Sequence, residues 1–410
     1  MVSDKCRFCN YDLNTIFIDL GSSPLANSYL KKNDFLKEKF YSLCTFLCQN
    51  CFLVQLKELE TPENIFSDYA YFSSFSTSWL KHAKDYVDMI IPRLSLDKNS
   101  LVVEIASNDG YLLQNFIGKN IPVMGIEPAQ NIAKESIKKN IPTLTNFFDS
   151  QLAKNLVSEN KTADLIIGNN VFAHIPCLND FIIGLKILLK PTGIITLEFP
   201  HLLQLMKNNQ FDTIYHEHFS YFSLITVKKI LEHHGLKIFD VEELTTHGGS
   251  LRLFITHFNN DQVNETLESN LVIEEEKKFG LTQIDTYEQF LKNIIKIKTS
   301  LTNFIENVKK DSKHIICYGA PAKGNTLLNY CGLSKNQIDY TVDKNPSKQN
   351  LFLPGTHIPI FSPDKIKETK PDFILILPWN LQEEILNELE YVKSWGCKFI
   401  IPIPEVKVLQ

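Results

Sequence analysis

At 410 residues the chain exceeds what one ordinary hydrophobic core supports, so two or three domains are expected. With 44% hydrophobic residues, 22% charged residues and a net charge of -5, it carries no general attraction for nucleic acid or an anionic membrane, and any anionic substrate must be held by local donors. No apolar run is long enough to span a bilayer, and Met1 to Lys5 lead into Cys6 without a signal-peptide pattern, which predicts a cytoplasmic protein.

The first element is a cysteine framework. Cys6-Arg7-Phe8-Cys9 and Cys48-Gln49-Asn50-Cys51 form two CxxC pairs, which in a reducing compartment read as four thiolates around one tetrahedral zinc ion. The segment between the pairs is longer than usual zinc-ribbon spacing, and Cys44 is a competing ligand. A closed four-thiolate site leaves no position for substrate, so its expected role is folding. Tyr69-Ala70-Tyr71-Phe72-Ser73-Ser74 follows as a candidate lid or a packed linker, and then a helix from about Ser78 through Ile91.

Leu101 to Ile105 is a short branched apolar run, Ala106-Ser107-Asn108-Asp109-Gly110 a small-residue loop, and a helix is expected from about Tyr111. The next strand, Val123 to Ile126, ends at Glu127, where a doubly wound sheet presents a carboxylate to ribose hydroxyls. Strands at 164–170, with Asn169 and Asn170 at its end, and at 193–199 flank a helix from about Leu178 to Leu189, so the sheet is parallel. The loop lacks the GxGxxG dinucleotide fingerprint. An acid at Glu104, a small-residue loop and a second acid at Glu127 instead form the pattern of S-adenosylmethionine enzymes.

Phe211-Asp212-Thr213-Ile214-Tyr215-His216-Glu217-His218 concentrates a base, an oxyanion donor and an orienting acid in one stretch. Two other readings compete: a metal site, although HExxH fails because Ser220 stands four after His216, and satisfied polar groups under the aromatics Phe211, Phe219 and Phe222. The run Glu274 to Lys278 reads as a solvated helix face. Beyond it the pattern restarts: a strand at 314–318, the loop Gly319-Ala320-Pro321-Ala322-Lys323-Gly324-Asn325, a helix from Thr326, a strand at 338–342 ending in Asp343, and a strand at 373–377. This is a second Rossmann-like unit whose loop and Lys323 suit a pyrophosphate, unless Lys323 is a solvated loop lysine.

In order, the CxxC pairs, Tyr69-Ala-Tyr71-Phe-Ser-Ser, Glu104-Ile-Ala-Ser-Asn-Asp-Gly110, Asn170-Val-Phe-Ala-His174-Ile-Pro, the Phe211 to Tyr221 segment, His247-Gly-Gly-Ser-Leu-Arg252 and Gly319 to Asn325 resemble the nucleotide-sugar C-methyltransferases of deoxysugar pathways. The resemblance covers nearly the whole chain. It implies that His218 is the base, that Tyr71, Tyr215, Glu217 and His174 surround the sugar, and that the sugar nucleotide lies between the central and carboxy-terminal domains. Ala106 departs from the family, which usually has glycine there, so the backbone must suit a β-carbon.

The expectation is an α/β protein: a zinc-binding module at 1–68, a doubly wound S-adenosylmethionine-binding methyltransferase domain at 69–265, a helical connector at 266–300 and a Rossmann-like sugar-nucleotide domain at 301–410. The cofactor residues are Glu104, Ala106, Ser107, Asn108, Gly110, Glu127 and Asn169. The substrate residues are Tyr69, Asn170, His247, Arg252, Lys323 and Asn325. The reaction expected is C-methylation, at C3 or C5, of a dTDP- or GDP-linked 4-keto-6-deoxyhexose by a monomer. His218 removes the proton, Tyr215 and His174 donate to the enolate oxygen, and Glu217 orients His218. Neutral imidazole is a weak base for a ketone, so such donors must each supply about 2.7 to 4 kcal/mol. A sugar O-methyltransferase, an NAD-dependent nucleotide-sugar oxidoreductase and a zinc-stabilised binding protein are the rivals. Abundant Lys, Asn and Ile suggest an AT-rich genome and a bacterial surface glycan.

Overall fold

A computed structural model describes residues 4–57 and 73–410, so Tyr69 and Tyr71 lie outside the described residues. The chain divides into two compact units, neither continuous in sequence. The first comprises Met1–Asn14, Cys48–His201 and Phe219–Gly280, the second Thr15–Leu47, Leu202–His218 and Leu281–Gln410.

The first unit is built on a seven-stranded sheet. In chain order its strands are Val102–Ile105, Val123–Ile126, Thr143–Leu144, Ala163–Asn169, Leu189–Pro200, Leu236–Leu244 and Ser250–His257. Their spatial order is 3-2-1-4-5-7-6, and only the seventh runs antiparallel to its neighbours. From the central first strand the chain winds outward in both directions. In a sheet of this order a crevice opens at the carboxyl ends of strands one and four, where the winding reverses. Val102, Leu165, Ile167 and Phe254 form a core with Tyr86, Val87 and Ile90 of the helix Thr77–Leu94, each side chain removed from water contributing about 1.5–3 kcal/mol. That helix starts where Ser76 accepts the Trp79 N–H, and ends at left-handed Ser95.

The second unit carries a six-stranded sheet with the strands Ile315–Tyr318, Thr341–Val342, Ile360–Phe361, Phe373–Ile376, Lys398–Ile401 and Lys407–Leu409 in chain order. The spatial order is 3-2-1-4-5-6, parallel except for the last strand. This is a Rossmann-type order, with its switch point between strands one and four.

Several expectations change. The segment between the cysteine pairs forms the antiparallel strands Thr15–Ser23 and Tyr41–Leu47, which cluster with the second unit. There Phe17 stacks on Phe290 at 5.1 Å and meets Tyr287 edge-on at 5.4 Å, both on the helix Ile284–Lys310. Residues 202–218 likewise group with the carboxy-terminal sheet. Glu276, within the run that reads as a solvated face, is fully buried. Its carboxylate accepts the N–H groups of Leu224 (2.5 Å) and Ile225 (2.8 Å), opening the helix Leu224–His233, and pairs with His201 at 2.6 Å. The helix expected from Thr326 begins at Ala322, since Pro321 already fixes the entry φ, so Lys323 and Asn325 lie on a helix instead of a loop.

Candidate functional site

Both cysteine pairs lie in the first unit. Their sulfurs fall within 4.8 Å of one another, with Cys6 to Cys51 at 3.6 Å and Cys9 to Cys48 at 3.5 Å. Ligands about 2.3 Å from a tetrahedral zinc ion stand roughly 3.8 Å apart, so the set fits zinc. Cys44, left open as a competitor by spacing, is not in this cluster. The Gln55 amide donates to Cys6 Sγ at 3.2 Å. Asn179 donates to the Phe8 carbonyl at 2.9 Å and Thr226 to that of Cys51 at 3.1 Å, which tie both knuckles to the methyltransferase fold.

The loop after the first central strand is the second site. Ala106, Asn108 and Gly110 all have left-handed φ, at 55, 49 and 76°. The alternating twist turns Ser107 and Asp109 inward, where both are buried. At Gly110 a β-carbon would lie 2.2 Å from Ile141 Cδ1 and 2.8 Å from Ser136 Oγ, so glycine is obligatory there. Asn tolerates this backbone, whereas alanine pays about 1–2 kcal/mol for it. Ala106→Gly is therefore expected to stabilise the protein by on the order of 1 kcal/mol, read as a rise in Tm. An unchanged or lower Tm would mean that the methyl group makes compensating contacts.

Glu127 closes the next strand. Its carboxylate accepts the Asn108 N–H at 3.0 Å and the Ala129 N–H at 2.9 Å, and burial still raises its pKa. Glu104 is fully buried; desolvation and the charges of Glu127 and Asp109 push its carboxyl well above the usual range. Among the described residues, Glu104 Oε2, Ser107 Oγ, Asp109 Oδ1, both side-chain atoms of Asn169 and Asn170 Oδ1 are buried without a hydrogen-bond partner. Such a concentration at a sheet's switch point marks a ligand cradle. Three crowded carboxylates would repel a pyrophosphate, but they suit a ligand with a sulfonium, an ammonium and ribose hydroxyls. The residues present fit S-adenosylmethionine.

Around this cradle, Asn170 Nδ2 meets His247 Nε2 at 3.3 Å, and the Trp79 ring lies 4.9 Å from His82 and 5.2 Å from His247. His174 sits on the short 3-10 turn Phe172–His174 that follows Asn170. Arg252, expected to meet substrate, is buried and binds Glu198 at 2.9 Å and Glu242 at 2.8 Å. Burial alone would raise the pKa of Glu198, but His82 and Arg252 outweigh it and hold the carboxylate ionised. Arg252 is thus a partner of buried acids.

The second unit holds the histidine-rich turn. His216 and Glu217 point inward, while Tyr215 and His218 remain partly exposed with ring centroids 4.1 Å apart. His216 Nε2 donates to the Ser42 carbonyl at 3.2 Å, and burial lowers its pKa. The Glu217 carboxylate accepts the Asn27 amide at 2.6 Å, and desolvation pushes its pKa up to about 7. His218 Nδ1 lies 2.9 Å from the Thr213 carbonyl. A carbonyl only accepts, so this nitrogen carries the proton and the neutral ring presents Nε2 as its basic atom. The hydrogen bond that fixes the His218 tautomer is accepted by the Thr213 carbonyl, while Glu217 is held by Asn27.

Lys323 Nζ donates to Asn380 Oδ1 at 2.6 Å and lies 4.3 Å from the Trp379 ring centroid, and burial lowers its pKa to about 8. It is not a solvated loop lysine. Asn325 donates to the Ala26 carbonyl at 2.6 Å, and Tyr29 to that of Ala320 at 2.6 Å. Asn27, Tyr29 and Trp379 are site neighbours that sequence reasoning missed. Only the turn-forming composition of Pro24-Leu-Ala-Asn-Ser-Tyr29 offered a signal.

A zinc binding domain family profile matches residues 6–66, a methyltransferase domain profile residues 79–241 and a C-methyltransferase C-terminal domain profile residues 245–404. The chain is 35% identical over 408 residues to the C-methyltransferase NovU of Streptomyces niveus, covering 99% of this chain and 97% of that one. Among solved structures, a SAM-dependent methyltransferase from Anabaena variabilis aligns at 19% identity and a TM-score of 0.34, over 42% of this chain and 83% of that one. Magnesium protoporphyrin IX methyltransferase from Synechocystis aligns at 18% identity and a TM-score of 0.33, over 42% and 79%.

Proposed function

Because the chain belongs to the S-adenosylmethionine-dependent C-methyltransferase family, we propose that its acceptor is a nucleotide-linked 4-keto-6-deoxysugar, methylated at C3 through an enolate that His218 generates. Membership sets aside the O-methyltransferase and oxidoreductase readings. The observation that carries the proposal is the hydrogen bond from His218 Nδ1 to the Thr213 carbonyl, which assigns the basic lone pair to Nε2.

Bound S-adenosylmethionine supplies an electrophilic methyl group, so the work left to the protein is to make carbon nucleophilic. His218 Nε2 takes the proton from C3, and the C–H electron pair moves into an enolate whose charge rests on the C4 oxygen. The Tyr215 hydroxyl, beside the imidazole, donates to that oxygen, with His174 as a second donor. The enolate carbon is then the nucleophile toward the methyl group that the cofactor would supply, and the imidazolium gives up its proton to reset the base. Asn170, His247, Lys323 and Asn325 remain candidate contacts of the sugar nucleotide, as do Tyr69 and Tyr71.

The direct test is incubation with S-adenosylmethionine and a panel of dTDP- and GDP-linked 4-keto-6-deoxysugars, read by mass spectrometry, with NMR locating the new methyl. A product methylated on C3 supports the proposal; methylation at C5, or turnover only of acceptors lacking a ketone, overturns it. Tyr215→Phe is expected to lower kcat by about 10²–10³-fold with little change in KM. A defect confined to KM would make Tyr215 a binding contact.

A further inference from the structure

We propose that Asp212 is the positioning carboxylate of His218, acting through the peptide of Thr213, with Trp379 and Lys323 holding Asp212 in place. The inference rests on His218 being the base.

Asp212 is fully buried in the short turn Phe211–Thr213. Its Oδ2 accepts the Trp379 indole N–H at 2.7 Å, and its Oδ1 has no hydrogen-bond partner among the described residues. Trp379 follows the fourth strand of the carboxy-terminal sheet, and Thr326, on the helix after the first, donates to the Ile214 carbonyl at 3.0 Å. The switch point of that sheet therefore grips the turn on both sides of Thr213. Between those two anchors stands the carbonyl that selects the His218 tautomer.

Charge points the same way. When His218 takes a proton it becomes an imidazolium, which a nearby anion stabilises. Two carboxylates lie on this stretch. Desolvation pushes the Glu217 carboxyl up to about 7, which favours its neutral form. Burial raises Asp212 less far, to about 6, because Lys323, the Trp379 indole and the backbone amides of Asp212 and Thr213 oppose it, so Asp212 is the more readily ionised of the two. The titratable groups facing it from the helix Ala322–Cys331 are Lys323 and Cys331; Trp379 and Asn380 of the neighbouring turn do not titrate. An isolated buried carboxylate is costly, and one held in the same turn as the carbonyl that a candidate base binds fits a positioning role.

The experiment compares full-length Asp212→Asn, Trp379→Phe and His218→Asn with the parent, from about pH 5.5 to about 8.5, for kcat, KM and S-adenosylmethionine affinity. Asp212→Asn is expected to lose about tenfold to hundredfold in kcat at the alkaline end, with KM and cofactor affinity within about twofold. The deficit should close as pH falls below about 6, where the parent's own Asp212 takes up a proton. Trp379→Phe, which removes the donor, should shift the loss of parental activity to higher pH. A deficit equal at every pH, or one lying in KM, assigns Asp212 a structural role and overturns the inference. If Asp212→Asn does not fold, the Trp379→Phe profile decides, and an unshifted profile overturns it. Substrate hydrogen exchange in deuterated water separates the two proposals. Exchange that persists in His218→Asn removes the base itself, whereas exchange lost there beside a flat Asp212→Asn deficit removes only Asp212.

Discussion

His218→Asn should lower methyl transfer by about 10²–10⁴-fold and stop the exchange of substrate hydrogen with deuterated water, while cofactor binding measured by calorimetry stays intact. The expectation follows from the tautomer. With Nδ1 committed to the Thr213 carbonyl at 2.9 Å, proton transfer falls to Nε2. Asparagine can retain the bond to Thr213 but offers no atom that accepts a proton near neutrality. Unchanged exchange would remove His218 from the base role whatever happened to turnover, because exchange needs no methyl donor.

Cys48→Ser should abolish stoichiometric zinc, measured by metal analysis of the purified protein, and lower the unfolding temperature far more than a surface substitution does. Structural zinc sites in isolated finger peptides are worth about 10–16 kcal/mol, and one hard hydroxyl among soft thiolates forfeits much of that. The loss should spread beyond the cysteine knuckles, since the Cys51 carbonyl is held by Thr226 and the Phe8 carbonyl by Asn179. Zinc retained at full stoichiometry in the serine variant would show that the remaining sulfurs suffice. A strong chelator should reproduce the destabilisation in the parent protein.

What was legible in the sequence was what neighbouring residues determine together. The CxxC pairs, the loop from Glu104 to Gly110 and the strand-terminal Glu127 are local arrangements, and local backbone chemistry is written in consecutive residues. The left-handed run at Ala106, Asn108 and Gly110 was half visible: glycine announces its conformation, but alanine adopts it only because the sheet around it imposes it. Contacts between distant residues were illegible. Nothing near Asp212 in the sequence points to Trp379, nothing near Glu217 to Asn27, and Glu276 sits among charges that otherwise look solvated. Phe17 likewise has no sequence signal pointing to Phe290.

The interleaving of the two units governs the order in which the chain can fold as it is made. It passes from one unit to the other at five places, so the amino-terminal hairpin emerges from the ribosome long before the helix Ile284–Lys310 that covers Phe17. Until then an aromatic surface waits uncovered, and the zinc knuckles await residues as late as Thr226. Contacts of such wide separation fold slowly and leave sticky intermediates. Early capture of metal, or a chaperone, would shorten the time that surface stays exposed during synthesis.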